Sequence, residues 1–511
     1  MSEAIFGGAR FEHVAQFVGA TFDDRAFFSG ARFTRSLWFM NAEFIGEARF
    51  NGADLGELAG FKCTFRDQAY FQEAHFGDRA TFEVTKFFSD AFFERATFGQ
   101  RARFEEAVFH AYTDFEGAVI GDGARFDGVT FTGPAHFNLV KFGDDIRLGP
   151  LLLQDFISIS SAKFGQNAQL EITGGVVRGS RAIFPYGARI AGRWTCVDLA
   201  QTKFGAASTV ASIEGRSVLR DYKDEPVGFL DDTSASNVIE KQPWRSRQPC
   251  LLSLRGADVT EITLADIDLR ACRFNGAFNL DKIRLDQVLF LRTPTGWQCH
   301  LRRNWLPTVW KWTDRLALAE EHEWRETFER GVRRSGWHPN MALSPEEVSE
   351  DRHLAPTGRE VRAQQIANLY RALRKSLEDR KDEPGAADFY YGEMEMRRKG
   401  AERLFERALL TIYWCVSGYA LRASRALASL AVTILVCSLF LAAFGFAETA
   451  PHYSSRLFEA IIYSFQATTS LLRAPTRALT DVGSVLDSIL RLLGPLLYGL
   501  VLLSLRGRIK R

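Results

Sequence analysis

Cysteine is scarce in this 511-residue chain and never paired. Its seven cysteines (Cys63, Cys196, Cys250, Cys272, Cys299, Cys415 and Cys437) form no CxxC and share no ligand spacing. That excludes a disulfide framework and a zinc finger, and it suits a reduced, non-secreted chain. No signal-peptide pattern stands at the N-terminus, so a chain without a cleaved leader is expected. Catalytic signatures are missing as well. There is no Walker loop, no GxSxG, no HExxH and no Cys/His constellation, so the expectation is a non-enzyme with no cofactor and no metal. Net charge is small, with 64 Lys/Arg against 62 Asp/Glu. The balance hides an asymmetry: residues 1–150 hold 15 Lys/Arg against 22 Asp/Glu, and the remainder is basic.

What the chain has in excess is phenylalanine, 43 in all. From Phe6 to Phe142 it recurs at alternating steps of five and six residues. One series reads Phe6, Phe17, Phe28, Phe39, Phe50 and Phe61; its partner reads Phe11, Phe22, Phe33, Phe44 and Leu55. Near Phe65 the register slips by one residue and both series resume, the first from Phe71 to Phe137 and the second from Phe76 to Phe142. A small residue stands two positions before nearly every member, as at Ala9, Ala15, Ala20, Ala26 and Ala31. Such a step fits neither the helical period of 3.6 nor an unbroken strand. It fits a chain that turns a corner after each short extended segment. Residues i and i−2 then point inward together while Asp, Glu, Arg and Thr face water.

Motifs such as GADL (Gly52–Leu55) within ARFNGADL (Ala48–Leu55) resemble the pentapeptide-repeat family in its Phe-rich form. The resemblance implies an all-β, right-handed quadrilateral β-helix, with about four repeats to each coil. The ladder weakens over 143–250, read as degenerate coils with an aperiodic, polar insertion at 221–250. It returns in strict form at Leu254, Val259, Leu264, Leu269 and Phe274, and the β-helix is expected to span 1–290.

A Trp- and Arg-rich region (291–358) follows, expected to cap the open end of the β-helix. His322 lies among Glu320, Glu321 and Glu323, and with no second ligand at metal spacing it reads as part of a solvated helix face. Residues 359–425 read as an α-helical adaptor. Ile366, Leu369, Tyr370, Leu373 and Leu377 share one face of its first helix. Lys381–Asp388, with Pro384 and Gly385 as breakers, reads as the turn before a second helix at Phe389–Lys399. A basic, amphipathic stretch at Arg403–Arg425 suits a membrane interface, with Tyr413, Trp414 and Tyr419 at headgroup level. The adaptor is similar to one found in bacterial pentapeptide-repeat proteins that end in an ion-channel-like domain.

Residues 426–511 read as a transmembrane helical hairpin. Ala426–Ala447 carry no charge and are long enough to cross about 30 Å of hydrocarbon. The second span is Leu492–Leu505, extended back to Val482 if Asp487 and Arg491 are taken in. These two lie four apart, positioned to pair or to line a polar path. Arg506, Arg508, Lys510 and Arg511 mark a cytoplasmic C-terminus, which leaves the N-terminal β-helix in the cytosol of a bacterial inner membrane. Between the spans, Phe458, Tyr463, Ser464, Phe465, Thr468 and Thr469 resemble the pore helix of two-span potassium-channel-like domains. Ser470, Leu471, Leu472 and Arg473 replace that family's Gly-Tyr-Gly filter, which argues against selective potassium conduction. The pore-lining candidates are therefore Thr468, Thr469, Ser470, Asp487 and Arg491.

Two functions follow as expectations. One is an ion-channel-like pore with a cytosolic β-helix, which by resemblance implies a homo-oligomer, a tetramer if it conducts. The other is a membrane-tethered scaffold that binds a protein partner on the β-helix face. The lipid bilayer is a partner in both. The acidic excess of the first 150 residues is too modest for DNA mimicry, which argues against nucleic acid.

Overall fold

In the computed structural model the chain divides into two units, residues 1–361 and 362–511. The structure describes residues 3–213, 217–220, 226–230, 247–293, 296–298, 309–311, 314–328, 362–447, 453–469 and 478–509.

The first unit is built on a parallel β-helix. Strands of two residues pair in register, Ala4 with Ala26 and Ala26 with Ala48, so one coil takes 22 residues. Alternating steps of five and six sum to that length, and four inward columns define four sides. One column stacks Phe28, Phe50, Phe71 and Phe93; another stacks Phe39, Phe61, Phe82 and Phe104. Ring centroids one coil apart lie 4.8 Å apart in Phe28–Phe50 and 4.9 Å apart in Phe71–Phe93, the spacing of neighbouring strands. The small residues stack likewise, Ala26, Ala48, Ala69 and Ala91 each at most 1% exposed. Small side chains suit these positions, because the rings of adjacent columns meet edge to face across the same layer, as in Phe50–Phe61 at 89°.

The slip near Phe65 is a shortened coil: Glu43 pairs with Thr64 and Ala48 with Ala69, one residue less than elsewhere. The coils persist through the region read as degenerate, where they shorten to 20 residues, with Ala168 opposite Ala188 and Ile183 opposite Lys203. Here the strands are the longest of the rod, Arg147–Ser158 and Ala168–Arg178. Aliphatic and β-branched residues replace the ladder, which is why the phenylalanine cadence fades while the coil does not. The insertion differs in detail from its reading as aperiodic loop. Ser217–Arg220 pairs antiparallel with Pro226–Leu230, and the rod resumes at Cys250–Ser253 against Cys196–Asp198. The last parallel pairing of strands joins Ile262–Ala265 to Arg284–Asp286.

Beyond the rod, Leu291–Arg292 pairs antiparallel with Leu316–Ala317, and Trp297 sits opposite Trp310 in a second antiparallel pair. Helix α1 (Ala319–Phe328) then docks on the end of the rod. Glu320 accepts hydrogen bonds from the backbone N–H groups of Phe274 and Asn275, and Glu323 pairs with Arg273 at 2.7 Å. Glu321 is fully buried and takes Arg315 and Arg325 at 2.6 and 2.7 Å. The expectation of a solvated face around His322 is corrected: His322 is 4% exposed and belongs to the buried side of α1. Its glutamates are acceptors for arginines and a strand end, and no cluster of metal-ligating groups occurs among the described residues. Trp305, Trp312 and Trp337 lie outside the described residues.

The second unit is helical. Helices α2 (Ala363–Asp379) and α3 (Glu383–Gly400) pack as a hairpin, with Ile366, Tyr370 and Leu373 buried as the periodicity requires. The turn is shorter than expected. Asp382 caps α3 by accepting from Gly385 N at 3.1 Å, and Pro384 sits in the first helical turn. Proline interrupts a helix interior but costs nothing where the N–H has no partner anyway. Then come α4 (Leu404–Ser417), α5 (Ala423–Phe440, continued as a π-helix through Leu441–Gly445), α6 (Tyr453–Thr469) and α7 (Asp481–Ile509). Two stretches, Ala423–Gly445 and Asp481–Leu505, are long and apolar enough to cross a membrane. The second starts at the longer of the two expected limits, since Asp487 and Arg491 lie within one continuous helix that also holds Pro495.

Candidate functional site

Three helices, α5, α6 and α7, share an apolar core of Leu441, Ala442, Ala460, Tyr463, Ala467 and Leu490. Small residues let them approach. A Cβ added at Gly494 of α7 would lie 2.7 Å from the Thr468 Cα of α6, and one at Gly483 would meet the Gly445 carbonyl at 2.2 Å. The helices therefore touch backbone to backbone at both points.

The expected site residues fall into two groups. Asp487 and Arg491 come together, with Arg491 Nε 2.8 Å from Asp487 Oδ2. Tyr463 of α6 donates to the other carboxylate oxygen at 3.0 Å, so the pair is tied across to a second helix. An apolar bundle retains such charges only when they satisfy one another. Thr468 is buried and donates to Phe465 O at 2.8 Å; Thr469 is exposed and donates to the same carbonyl at 3.1 Å. Both hydroxyls are spent on their own helix, and Thr468 faces Gly494. Ser464, one turn earlier, is fully buried with no hydrogen-bond partner among the described residues. Ser470, with Leu471, Leu472 and Arg473, lies outside the described residues.

The expectation that Tyr413, Trp414 and Tyr419 lie at headgroup level is corrected at the start of α5, where the three pack with Tyr391 and Met394 of α3 in a cluster that carries polar contacts. Gly418, Tyr419 and Ala420 all have φ between 55° and 61°, which turns the chain sharply between α4 and α5. The turn buries Tyr419, whose hydroxyl donates to Glu395 Oε2 of α3 at 3.1 Å and accepts from Arg398 at 3.2 Å. Burial and the Glu395 charge raise its pKa well above the ordinary tyrosine range. Trp414 donates to Tyr391 at 2.9 Å and lies under the guanidinium groups of Arg398 and Arg425, at 4.8 and 5.1 Å. The alternation of aromatics and arginines from Tyr390 to Arg425 was the available signal. Outside this corner α4 is bare: Leu404, Phe405, Leu409 and Ile412 are 85, 81, 57 and 61% exposed.

A third feature lies on one face of the β-helix. A groove of about 900 Å³ crosses successive coils from Trp38 to Gln169. Its middle is a column of outward residues at coil spacing, Thr81, Arg103, Arg125 and Arg147, bridged in parallel. Arg103 pairs with Glu83 and Glu105, and Arg147 lies 3.6 Å from Asp127. Burial pushes the Glu105 carboxyl up to about 7 and that of Asp127 to about 6, against the pull of these arginines.

The family model described as pentapeptide repeats (9 copies) matches three stretches, residues 6–54, 61–108 and 93–141. No curated protein and no solved structure matches the chain. The Phe ladder is thus a run of pentapeptide repeats, wound as a parallel β-solenoid and followed by a helical region with two apolar helices.

Proposed function

We propose that this chain is a membrane-anchored scaffold, which holds a pentapeptide-repeat rod at a lipid surface to bind a protein partner. The observation that carries this reading is the outer face of the helical bundle. Val432, Leu435 and Phe440 of α5 are 58, 52 and 52% exposed, and Leu492, Leu496 and Leu502 of α7 are 73, 58 and 66% exposed. Apolar faces of this extent need a cover, and two helices of spanning length make hydrocarbon the natural one. The bare apolar row of α4 would lie in the interface beside them. The basic residues at the C-terminal end favour a cytoplasmic C-terminus, and the rod then lies in the cytosol, in keeping with a bacterial inner membrane.

The test is extraction. Full-length protein should stay with membranes in alkaline carbonate and leave them in detergent, while a chain ending before Ala423 should be washed off. Release of the full chain by carbonate alone would end the reading.

One observation favours a second reading, an ion-channel-like pore formed by a homo-oligomer. Helix α6 packs against both apolar helices and carries the buried Ser464 hydroxyl, which has no hydrogen-bond partner among the described residues, beside Thr468. Currents across planar bilayers and a fourfold assembly in detergent would support the pore. A silent monomer would leave the anchor.

A further inference from the structure

We propose that the groove on the β-helix is a docking site for an acidic peptide segment of a partner protein, anchored by an apolar side chain at its Trp38 end. The inference rests on the scaffold reading and assigns it a surface and a partner chemistry.

Charge segregation comes first. Of the 15 Lys/Arg in residues 1–150, six line this groove, against two carboxylates, Glu83 and Asp145. The rest of that stretch carries nine cations and 20 acids. An acidic stretch thus carries one face on which cations outnumber acids six to two. Stacking like charges at about 4.8 Å is unfavourable unless something neutralises them.

Neutralisation within the rod is incomplete. Arg103 and Arg147 have the carboxylates of Glu83, Glu105 and Asp127 beside them. Lys62, Arg79 and Arg101 are exposed and make no ion pair with any described residue. Arg79 and Arg101 occupy the same corner of successive coils, and the stem of Arg101 lies near Gly123, whose added Cβ would be 3.5 Å from Arg101 Cγ. The corner is thus low at Gly123 and leaves the two guanidinium groups open to a ligand.

The apolar end has its own construction. Gly60 takes the outward position one coil above Trp38, and a Cβ there would lie 2.4 Å from the indole ring. The missing side chain lets the Trp38 indole lie against the next coil, and the half-exposed Met40 lines the same end of the groove. That makes a platform for a leucine or an aromatic ring.

Length and field then choose between polyanions. Five coil steps from Lys62 to Gln169 span about 24 Å, the reach of roughly seven extended residues. A long nucleic acid would overrun the basic patch onto coils with no excess of positive charge and would find one stacking ring, where strand binders use a series. A short acidic segment stays within the basic patch.

The test uses the full chain in detergent micelles and fluorescence anisotropy of three labelled probes. One is a glutamate-rich peptide of about seven residues with a leucine and a phenylalanine at one end. The second replaces its glutamates by lysines, and the third is an oligothymidylate of similar length. The acidic peptide should bind, its affinity should fall with added salt, and the lysine peptide should not bind. The double variant Arg79→Glu/Arg101→Glu should weaken binding by at least about tenfold, with Arg79→Gln/Arg101→Gln intermediate. Trp38→Ala should weaken the full probe but leave a version without its leucine and phenylalanine unaffected. No binding of the acidic peptide, tighter binding of oligothymidylate, or indifference to both double variants would overturn the proposal. A protein partner that binds the rod equally well in the charge-reversed variant would overturn the groove alone and leave the scaffold standing.

Discussion

Phe28 and Phe50 stand one coil apart with their ring planes 1° from parallel and their centroids 4.8 Å apart. Phe50 stacks again on Phe71 at 4.9 Å and meets Phe39, Phe44 and Phe61 edge to face. One ring therefore bonds three layers of the rod, and a solenoid has only nearest-neighbour layers to hold it. Phe50→Ala should cost about 3–5 kcal/mol and loosen the adjoining coils. Phe88 directly follows the inward Phe87 but stands outside the cadence and points outward, 43% exposed over His110. Phe88→Ala should cost less than about 1 kcal/mol. Denaturant unfolding of the two variants in detergent measures the contrast, and equal losses would contradict the layered core.

Glu320 ties the cap to the rod and should make that end of the molecule sensitive to pH. Its carboxylate is fully buried against the N–H groups of Phe274 and Asn275, and burial raises its pKa from 4.5 to about 7. The folded chain binds this proton more tightly than the unfolded one, so the stability it confers is complete below about pH 4.5 and declines as pH rises through about 7. Glu320→Gln keeps an acceptor and removes the titration. It should match the parent protein near pH 5 and exceed its thermal midpoint near pH 8. Glu320→Ala should fall about 1–3 kcal/mol below Glu320→Gln at both, since two backbone donors are left without a partner. Thermal melts at the two pH values separate the cases, and a Gln variant less stable at pH 8 would refute the assignment.

These two residues also mark what could be read in advance. Phe50 was legible because a solenoid repeats its environment, so a period of five and six residues declares the inward columns, while the four sides of each coil follow from the resemblance to pentapeptide repeats. Glu320 was not, because α1 meets the rod once and no repeat announces the contact. Its neighbour His322 was read as solvated for the same reason. Periodicity likewise exposed the apolar face of α2, while the start of α3 was misjudged because Pro384 breaks a helix interior but suits a first turn. In the groove, each arginine is an ordinary outward residue of one coil. The patch exists only after six coils are stacked, and linear charge counting averages it into an acidic stretch.

Gly494 is the next position where a single atom decides a packing. A Cβ there would lie 2.7 Å from both Cα and the carbonyl oxygen of Thr468, so α6 and α7 must separate to admit it. Gly494→Ala should lower the thermal midpoint in detergent and lose about 1–3 kcal/mol, in spite of alanine's better helix propensity. Gly499 has open space around its Cβ position, and Gly499→Ala should be neutral or slightly stabilising. Reversal of that order would mean that α6 and α7 are not packed at Thr468.

Asp487 and Arg491 provide the sharpest test of how the bundle tolerates charge. Their side chains are 15% and 23% exposed, 2.8 Å apart, with Tyr463 donating to the same carboxylate. Removing one partner strands the other in an apolar setting, which typically costs about 3–5 kcal/mol. Arg491→Leu and Asp487→Leu should each destabilise the bundle by that order. The double variant should recover most of the loss, because two leucines need no partner and pack in similar volume. A coupling of about 2 kcal/mol or more between the two substitutions, read from denaturation in detergent, is the expected result. Additive losses would mean that each charge is held by a separate partner. The same three variants divide the functional readings. An anchor needs only the apolar surface and should remain in the membrane with leucine at both positions. A pore that uses the pair as a polar path should lose conduction in the double variant even though its fold is restored.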